Sequence, residues 1–279
     1  TPQPGFGGRD TFSYTLGDGT GLQDSTTVSL DVYDADSGLV AHYKLDETGG
    51  SVTVDSSGGG HHGTYQGNAR PNRPGAALGT GTSARFDGGT GHVIIPNHPR
   101  LSNLTSDFTV AAWVRPDDVS GVQRVFGNPD GWSFGLDNTG LLFSTIGIRN
   151  YTIAVGVPVD AWTHVAAVFS LDFNVTFYFN GDNIGTVNGS LASHSPGDNW
   201  FIATLHEDAE FFDGHIDDIQ VYDRALDEGD LLFLFNHPGS VIGYDDPIPA
   251  VSEWGLVAMT LLVVTAGTVV LTRRRTAPT

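Results

Sequence analysis

Hydrophobic and polar positions alternate at period two through most of the chain. In Asp107–Pro116 (DFTVAAWVRP), Phe108, Val110, Ala112 and Val114 fall on one face, and Thr109, Ala111, Trp113 and Arg115 on the other. The run is rich in β-branched and aromatic residues. Its apolar positions are contiguous rather than spaced by three and four, and Pro116 closes it, so it predicts a strand and not a helix. Both faces are largely apolar, which places the strand inside a sheet covered on at least one side. Similar runs follow one another along the chain: LVAHYKL, ARFDG, HVIIP, RVFGN, WSFGLDN, LLFSTI, WTHVAAVFS, VTFYFNG, WFIAT and HIDDIQVY. Turns carrying Gly, Asp, Asn and Pro separate them, and Asn180-Gly181 after TFYF is a strong hairpin signal. The helical pattern is confined to Asp227–Phe235, with Asp227 available as N-cap. So many strands with so little helix predict an all-β antiparallel sandwich.

The two ends read differently. Phe12, Tyr14 and Leu16 alternate, a Gly-Asp-Gly turn follows, and Val28, Leu30 and Val32 alternate again, predicting a hairpin. Two strands alone are marginal in water, so residues 1–34 are expected to close a β domain that begins upstream of Thr1. Asp34–Gly38 (DADSG) reads as the linker, either a solvated turn or part of an interdomain calcium site. Residues 35–238 form the main domain, and residues 239–253 a second linker. Trp254–Thr272 is uncharged and apolar and is followed by Arg273, Arg274 and Arg275. Residues 254–279 therefore predict a transmembrane helix with a cytoplasmic basic tail.

Composition supports a packed β domain. The chain has 279 residues, 39% of them hydrophobic, with 37 Gly and 14 Pro for turns. The formal net charge is −19, which disfavours nucleic acid and anionic lipid as partners. With no cysteine, a disulfide framework and a thiolate metal site are excluded.

Several motifs carry family resemblances. GLVAHYKLDETGG…VDSSGGGHHGTY, ARFDGGTGHVIIP, DFTVAAWVRP, DAWTHVAAVFS, VTFYFNGD and FDGHIDDIQVYDRAL occur in order over residues 38–230. Together they resemble the laminin-G-like, concanavalin A-like jelly roll. The resemblance implies two curved antiparallel sheets, commonly a calcium ion at a loop-rich edge, and a carbohydrate- or protein-binding role. The N-terminal hairpin resembles the end of bacterial cadherin-like or immunoglobulin-like repeats. IPAVSEWG resembles an IPTL-type sorting signal, with Ile248, Pro249, Glu253, Trp254 and Gly255 on the motif and Ala250 and Val251 departing from it. That resemblance implies export to the cell envelope and processing by an exosortase-type enzyme.

The most informative polar site is the loop Asp55–Gly60 (DSSGGG). Calcium takes six to eight oxygens from carboxylates and carbonyls. Asp55 and the carbonyl of Gly60 could supply some of them, and Asp217 or Asp218 the rest, because the resemblance makes the first and last strands neighbours. Adjacent aspartates on a regular strand face opposite sides, so one of this pair is expected to point inward. The other reading of these carboxylates is as satisfied turn residues without a metal. His61, His62, His92 and His98 show no zinc spacing and read as exposed loop residues. No paired-carboxylate strand motif of a glycosidase is present, the nearest run being HEDAE (Glu207, Asp208, Glu210), so catalysis is not expected. Trp113 and Trp162 fall inside strand motifs and are assigned to the core. Trp132 and Trp200 lie beside turns and are the better candidates for stacking on sugar rings; Arg149, Asn150 and Tyr151, after a strand end, could contribute polar contacts. The sequence thus predicts a non-catalytic surface module that binds extracellular polysaccharide or a surface protein. The alternatives are a structural spacer and an accessory domain of a glycoside hydrolase.

Overall fold

The computed structural model describes residues 8–17, 23–32, 38–145, 149–170, 174–188 and 198–243. Parts of the predicted hairpin turn and first linker, the whole sorting motif and the apolar tail lie outside the described residues. Among the described residues, no helix is long and apolar enough to cross a membrane. Strands β1 (Gly8–Gly17) and β2 (Gln23–Val32) pair antiparallel, Gly8 opposite Val32, as the alternation predicts.

The main domain is an all-β sandwich. It begins with β3 (Leu39–Tyr43), β4 (Val52–Thr53), β5 (Gly63–Gln66), β6 (Arg70–Pro74), β7 (Thr82–Asp87) and β8 (His92–Ile95). After the short helix α1 (Pro99–Ser102) come β9 (Phe108–Pro116), β10 (Gln123–Gly127), β11 (Trp132–Leu136), β12 (Gly140–Thr145) and β13 (Arg149–Ala154). The chain continues through β14 (Thr163–Phe169), β15 (Asn174–Phe179), β16 (Asp182–Asn188), β17 (Trp200–Ile202), β18 (Asp213–Tyr222) and helix α2 (Glu228–Asn236). One sheet runs β13-β12-β11-β10-β17-β8-β5-β4, the other β16-β15-β14-β9-β18-β7-β6, with β3 also paired to β18. All pairings are antiparallel.

The strand Phe108–Pro116 lies at the centre of the second sheet, between β14 and β18. Phe108, Val110, Ala112 and Val114 face the first sheet in the main core. Ala111 and Trp113 face the other way, where α2 covers them: Leu231 and Leu234 join the Ala111 cluster, and Phe235 stacks on Trp113 at 5.8 Å. Asp227 caps α2 by accepting from Asp230 N at 2.9 Å. Asn180 and Gly181 form the two-residue loop between β15 and β16, with φ of 52° and 83°. Such positive values match the twist of paired strands and favour Asn-Gly. A Cβ on Gly181 would meet Leu232 and Phe235 at 3.1–3.2 Å, so the same glycine lets α2 approach.

Three aromatic assignments are corrected here, the first being Trp162, which is half-buried and belongs to neither core cluster. Trp132 and Trp200 are 1% and 0% exposed and lie in the core. Trp132 stacks on Phe108 at 4.7 Å and meets Trp200 edge-on at 5.0 Å. Their proximity to turns does not expose them, because their side chains alternate into the space between the sheets. Trp132→Ala is expected to cost about 3–5 kcal/mol, the range for deleting a large buried aromatic. Urea denaturation checks this; a variant as stable as the parent would mean that the ring is not packed.

Candidate functional site

Asp55 follows the short β4 and turns the chain toward β5. Its Oδ1 accepts the N–H groups of His42 (3.0 Å) and Ser57 (2.9 Å), and its Oδ2 accepts that of His61 (3.0 Å). Burial pushes the carboxyl up, but bonds from the His61 side chain and from His42 and Ser57 outweigh it and hold Asp55 well below the usual carboxylate range. The loop therefore turns N–H groups, not carbonyl oxygens, toward Asp55. That arrangement neutralises an anion and does not fit calcium, so Asp55 and Gly60 are corrected to a structural turn. His61, buried rather than exposed, reaches His98: Nε2 lies 2.7 Å from His98 Nδ1, which also accepts from Arg100 N to cap α1.

The aspartate pair also departs from expectation. Ile216, Ile219 and Val221 face the core, and a bulge between Asp217 and Gln220 lets both intervening carboxylates point outward. Asp218 adopts φ 50° there, at the point where β18 changes neighbour from β7 to β3. An extra residue in one strand is what allows two successive side chains onto one face. Asp218 Oδ1 accepts from His42 Nε2 at 2.6 Å, and its Oδ2 accepts from Gln220 Nε2 and Gly239 N, both at 3.1 Å. Burial raises this carboxyl, yet His42 and the other donors hold it low. Asp218 is thus satisfied without a metal.

Asp217 is not. Its Oδ2 accepts from Ala76 N at 2.8 Å, while Oδ1 is buried with no partner. Burial, helped by Asp218 and Asp46 against bonds from Ala76 and Thr80, pushes its pKa up to about 8. Oxygens converge beside it: a Cβ on Gly75 would meet Gly81 O at 2.6 Å, and Asp217 Oδ2 and Thr80 Oγ1 at 2.9 Å. Asp46 Oδ1, accepting from Thr82 N at 2.6 Å, sits against the Cα of Gly81. Among the described residues no three His, Asp or Glu side chains gather as a metal cluster. A calcium ion at Asp217 would draw on its bare Oδ1, with the Gly81 carbonyl and the Thr80 hydroxyl lying on the side of Oδ2, oxygens of the chemistry calcium takes.

The remaining predicted residues separate. Tyr151 is 8% exposed and belongs to the core cluster. Arg149 and Asn150 lie on β13 itself, opposite Thr145 and Ser144, rather than beyond a strand end. What the sequence reading passed over is a cleft of about 600 Å³ lined by Lys44, Asp46, Glu47, Thr48, Gly49, Val54 and Ser56. Glu47 frames it, its Oε1 accepting from Val54 N (2.8 Å) and Thr53 Oγ1 (3.1 Å) and its Oε2 from Tyr65 OH (2.8 Å). Lys44 has no hydrogen-bonding or ionic partner among the described residues, and Val54 is 46% exposed. The signal was the polar run KLDET directly after β3, with Leu45 in the left-handed region (φ 54°).

Comparison with known proteins bears on this architecture. A family model described as the concanavalin A-like lectin/glucanases superfamily matches residues 87–231. No curated protein matches the sequence. Among solved structures, domain 4 of AbnA, an extracellular GH43 arabinanase from Geobacillus stearothermophilus in complex with arabinotriose, is similar at 22% identity. The match has a TM-score of 0.56 and covers 71% of this chain and 98% of that one. The binding domain of Paraclostridial Mosquitocidal Protein 1 is similar at 18% identity and TM-score 0.57, covering 71% of this chain. The botulinum neurotoxin DC binding domain in complex with rat synaptotagmin II is similar at 18% identity and TM-score 0.56, covering 72% of this chain. The chain spans about half the length of these two toxin domains, 52% of each. At such identities the likeness establishes the fold.

Behind the second sheet, His164 is fully buried against Trp113 (5.3 Å between rings), and its Nδ1 has no partner. Burial pushes its pKa down to about 4. The unfolded chain binds this proton below about 6.5, so stability is complete above that pH and falls as pH drops toward 4. The loss from His164 is roughly 3 kcal/mol. His164→Leu should flatten the unfolding free energy measured between pH 6.5 and 4; an unchanged slope would contradict a neutral buried imidazole.

Proposed function

The chain belongs to the concanavalin A-like lectin/glucanases superfamily, and from that premise we propose that it is a non-catalytic binding module recognising polysaccharide or a surface protein. The cleft at Lys44 carries this reading. It offers an ammonium and the hydroxyls of Thr48 and Ser56, acceptor capacity at Asp46, and the exposed apolar side of Val54. Polar groups at the rim with an apolar patch between them suit a sugar ring, which presents hydroxyls at its edge and C–H groups on its face. The likeness to an arabinotriose-bound domain and to toxin binding domains supports the same direction. Because that domain is part of an arabinanase, a second reading is an accessory domain attached to a glycoside hydrolase.

In this reading calcium, if it stabilises the module, binds at Asp217 and Asp46 rather than at Asp55. Residues 1–34 close an upstream repeat. The IPAVSEWG motif and apolar tail route the protein to the cell envelope for exosortase-type processing, with the tail spanning the membrane beforehand. The support for export is the sequence motif, and for calcium the unpartnered oxygen of Asp217.

Two measurements test these statements. On a glycan array the protein should bind at least one extracellular polysaccharide, and Lys44→Met should weaken that binding about tenfold, the worth of one charge-assisted hydrogen bond. Binding to no glycan would refute the polysaccharide reading. Calcium at a hundredfold over its Kd should stabilise the protein by about 2.7 kcal/mol, visible as a higher Tm at pH 8, and Asp217→Asn should abolish the gain. A Tm indifferent to calcium and to EDTA would remove the ion.

A further inference from the structure

The outer face of the second sheet carries a row of basic side chains. Register aligns Arg70 on β6 with Arg85 on β7, Arg85 with His215 on β18, and His215 with Arg115 on β9. Residues directly opposite in a sheet project to the same side, so these four form one cross-strand ladder. A bulge in β6 brings Arg73 opposite Ser83, whose Oγ lies 3.3 Å from His215 Nδ1. Trp162, half-buried, meets the His215 ring edge-on at 6.0 Å and closes the row. Four strands at about 4.8 Å spacing make the ladder roughly 14 Å long. The chain has 13 Lys and Arg against 32 Asp and Glu, so four arginines on one face form a local departure from its charge.

The arginines are incompletely neutralised. Arg85 Nη2 pairs with Asp117 and Asp213, each at 2.8 Å, leaving its buried Nη1 unpartnered. Arg115 reaches Asp160 only at 3.9 Å, and its Nε has no partner. The exposed Arg70 and Arg73 have no side-chain partner among the described residues.

We propose that this ladder is a second binding surface, for an acidic polysaccharide whose carboxylates or sulfates meet Arg70, Arg73 and Arg115 while a sugar ring packs on Trp162. Guanidinium groups bind such oxyanions through paired N–H donors. An aromatic edge in line with them fits a sugar ring better than a nucleic-acid backbone. The inference rests on the carbohydrate-binding reading but uses residues other than those that line the Lys44 cleft.

The test measures binding of the protein to polygalacturonate, dextran sulfate, neutral arabinan and a single-stranded oligonucleotide, with the parent and with Arg70→Ala/Arg73→Ala. Both substituted side chains are exposed and unpaired, so Tm should not move. Polygalacturonate, dextran sulfate or both should bind, whichever does so identifying carboxylate or sulfate as the charge recognised. The double substitution should weaken that binding tenfold or more and leave arabinan unaffected. Acidic binding unchanged by the substitutions, or oligonucleotide binding equal to that of the polysaccharide, would overturn the proposal. Neutral glycan binding without acidic binding would overturn it while leaving the module reading intact. Binding to none of the three saccharides would overturn it as well, while the module reading is decided separately by the glycan array.

Discussion

Burial of β9 on both faces is the constraint from which the other features of the domain follow. Its inner face is closed by the first sheet through Phe108, Val110, Ala112 and Val114. Its outer face carries Ala111 and Trp113 and would expose a continuous apolar strip if uncovered. Helix α2 provides the cover, and the chain spends several local devices on docking it. Asp227 caps its start, Thr109 Oγ1 donates to Arg224 O and accepts from Leu226 N, and Gly181 in the β15–β16 turn leaves room for Leu232. A helix of nine residues has little stability of its own. Its presence is therefore a consequence of the strip it buries, and so is the neutrality of His164 beneath it.

The bulge in β18 has a comparable reach. By turning Asp217 and Asp218 to the same side, it places two carboxylates in a layer where water does not reach them. The protein resolves them differently. Asp218 receives three donors, one of them the side chain of His42, whose backbone N–H serves Asp55 at the same time. A single residue on β3 thus links the loop at Asp55 to the last strand. Asp217 receives one donor, and its other oxygen is left bare. An isolated buried carboxylate is costly enough that it takes up a proton or a cation, and the oxygens of Thr80 and Gly81 lie nearby.

Sheet architecture was legible because it depends on period and turn chemistry, both local properties. Alternation located β9, β14 and β18, Asn180-Gly181 announced its hairpin, and Asp227 its helix. Strand β6 was not legible: RPNRP holds two prolines, which read as loop, and it survives as a strand only because it lies at a sheet edge. The site was harder for a different reason. Trp132 and Trp200 follow turns, and adjacency to a turn does not say which side of the sheet a ring takes. For Asp217 and Asp218 the assumption of strict alternation failed at a bulge that no residue pattern advertised. The cleft at Lys44 and the arginine ladder depend on pairing between segments far apart in sequence, and a linear reading carries no record of register.

The distribution of charge shows why function on this fold belongs to particular patches rather than to the net balance. A formal charge of −19 sets the field at long range, but at physiological ionic strength that field decays over about 8 Å. Groups within hydrogen-bonding distance of a bound chain are decided by their immediate neighbours. Among the described residues many acidic side chains are exposed, where solvent screens them, whereas Arg70, Arg85 and Arg115 are gathered by register onto one face with carboxylates beside only two of them. An overall acidic module can therefore present a cationic surface without contradiction.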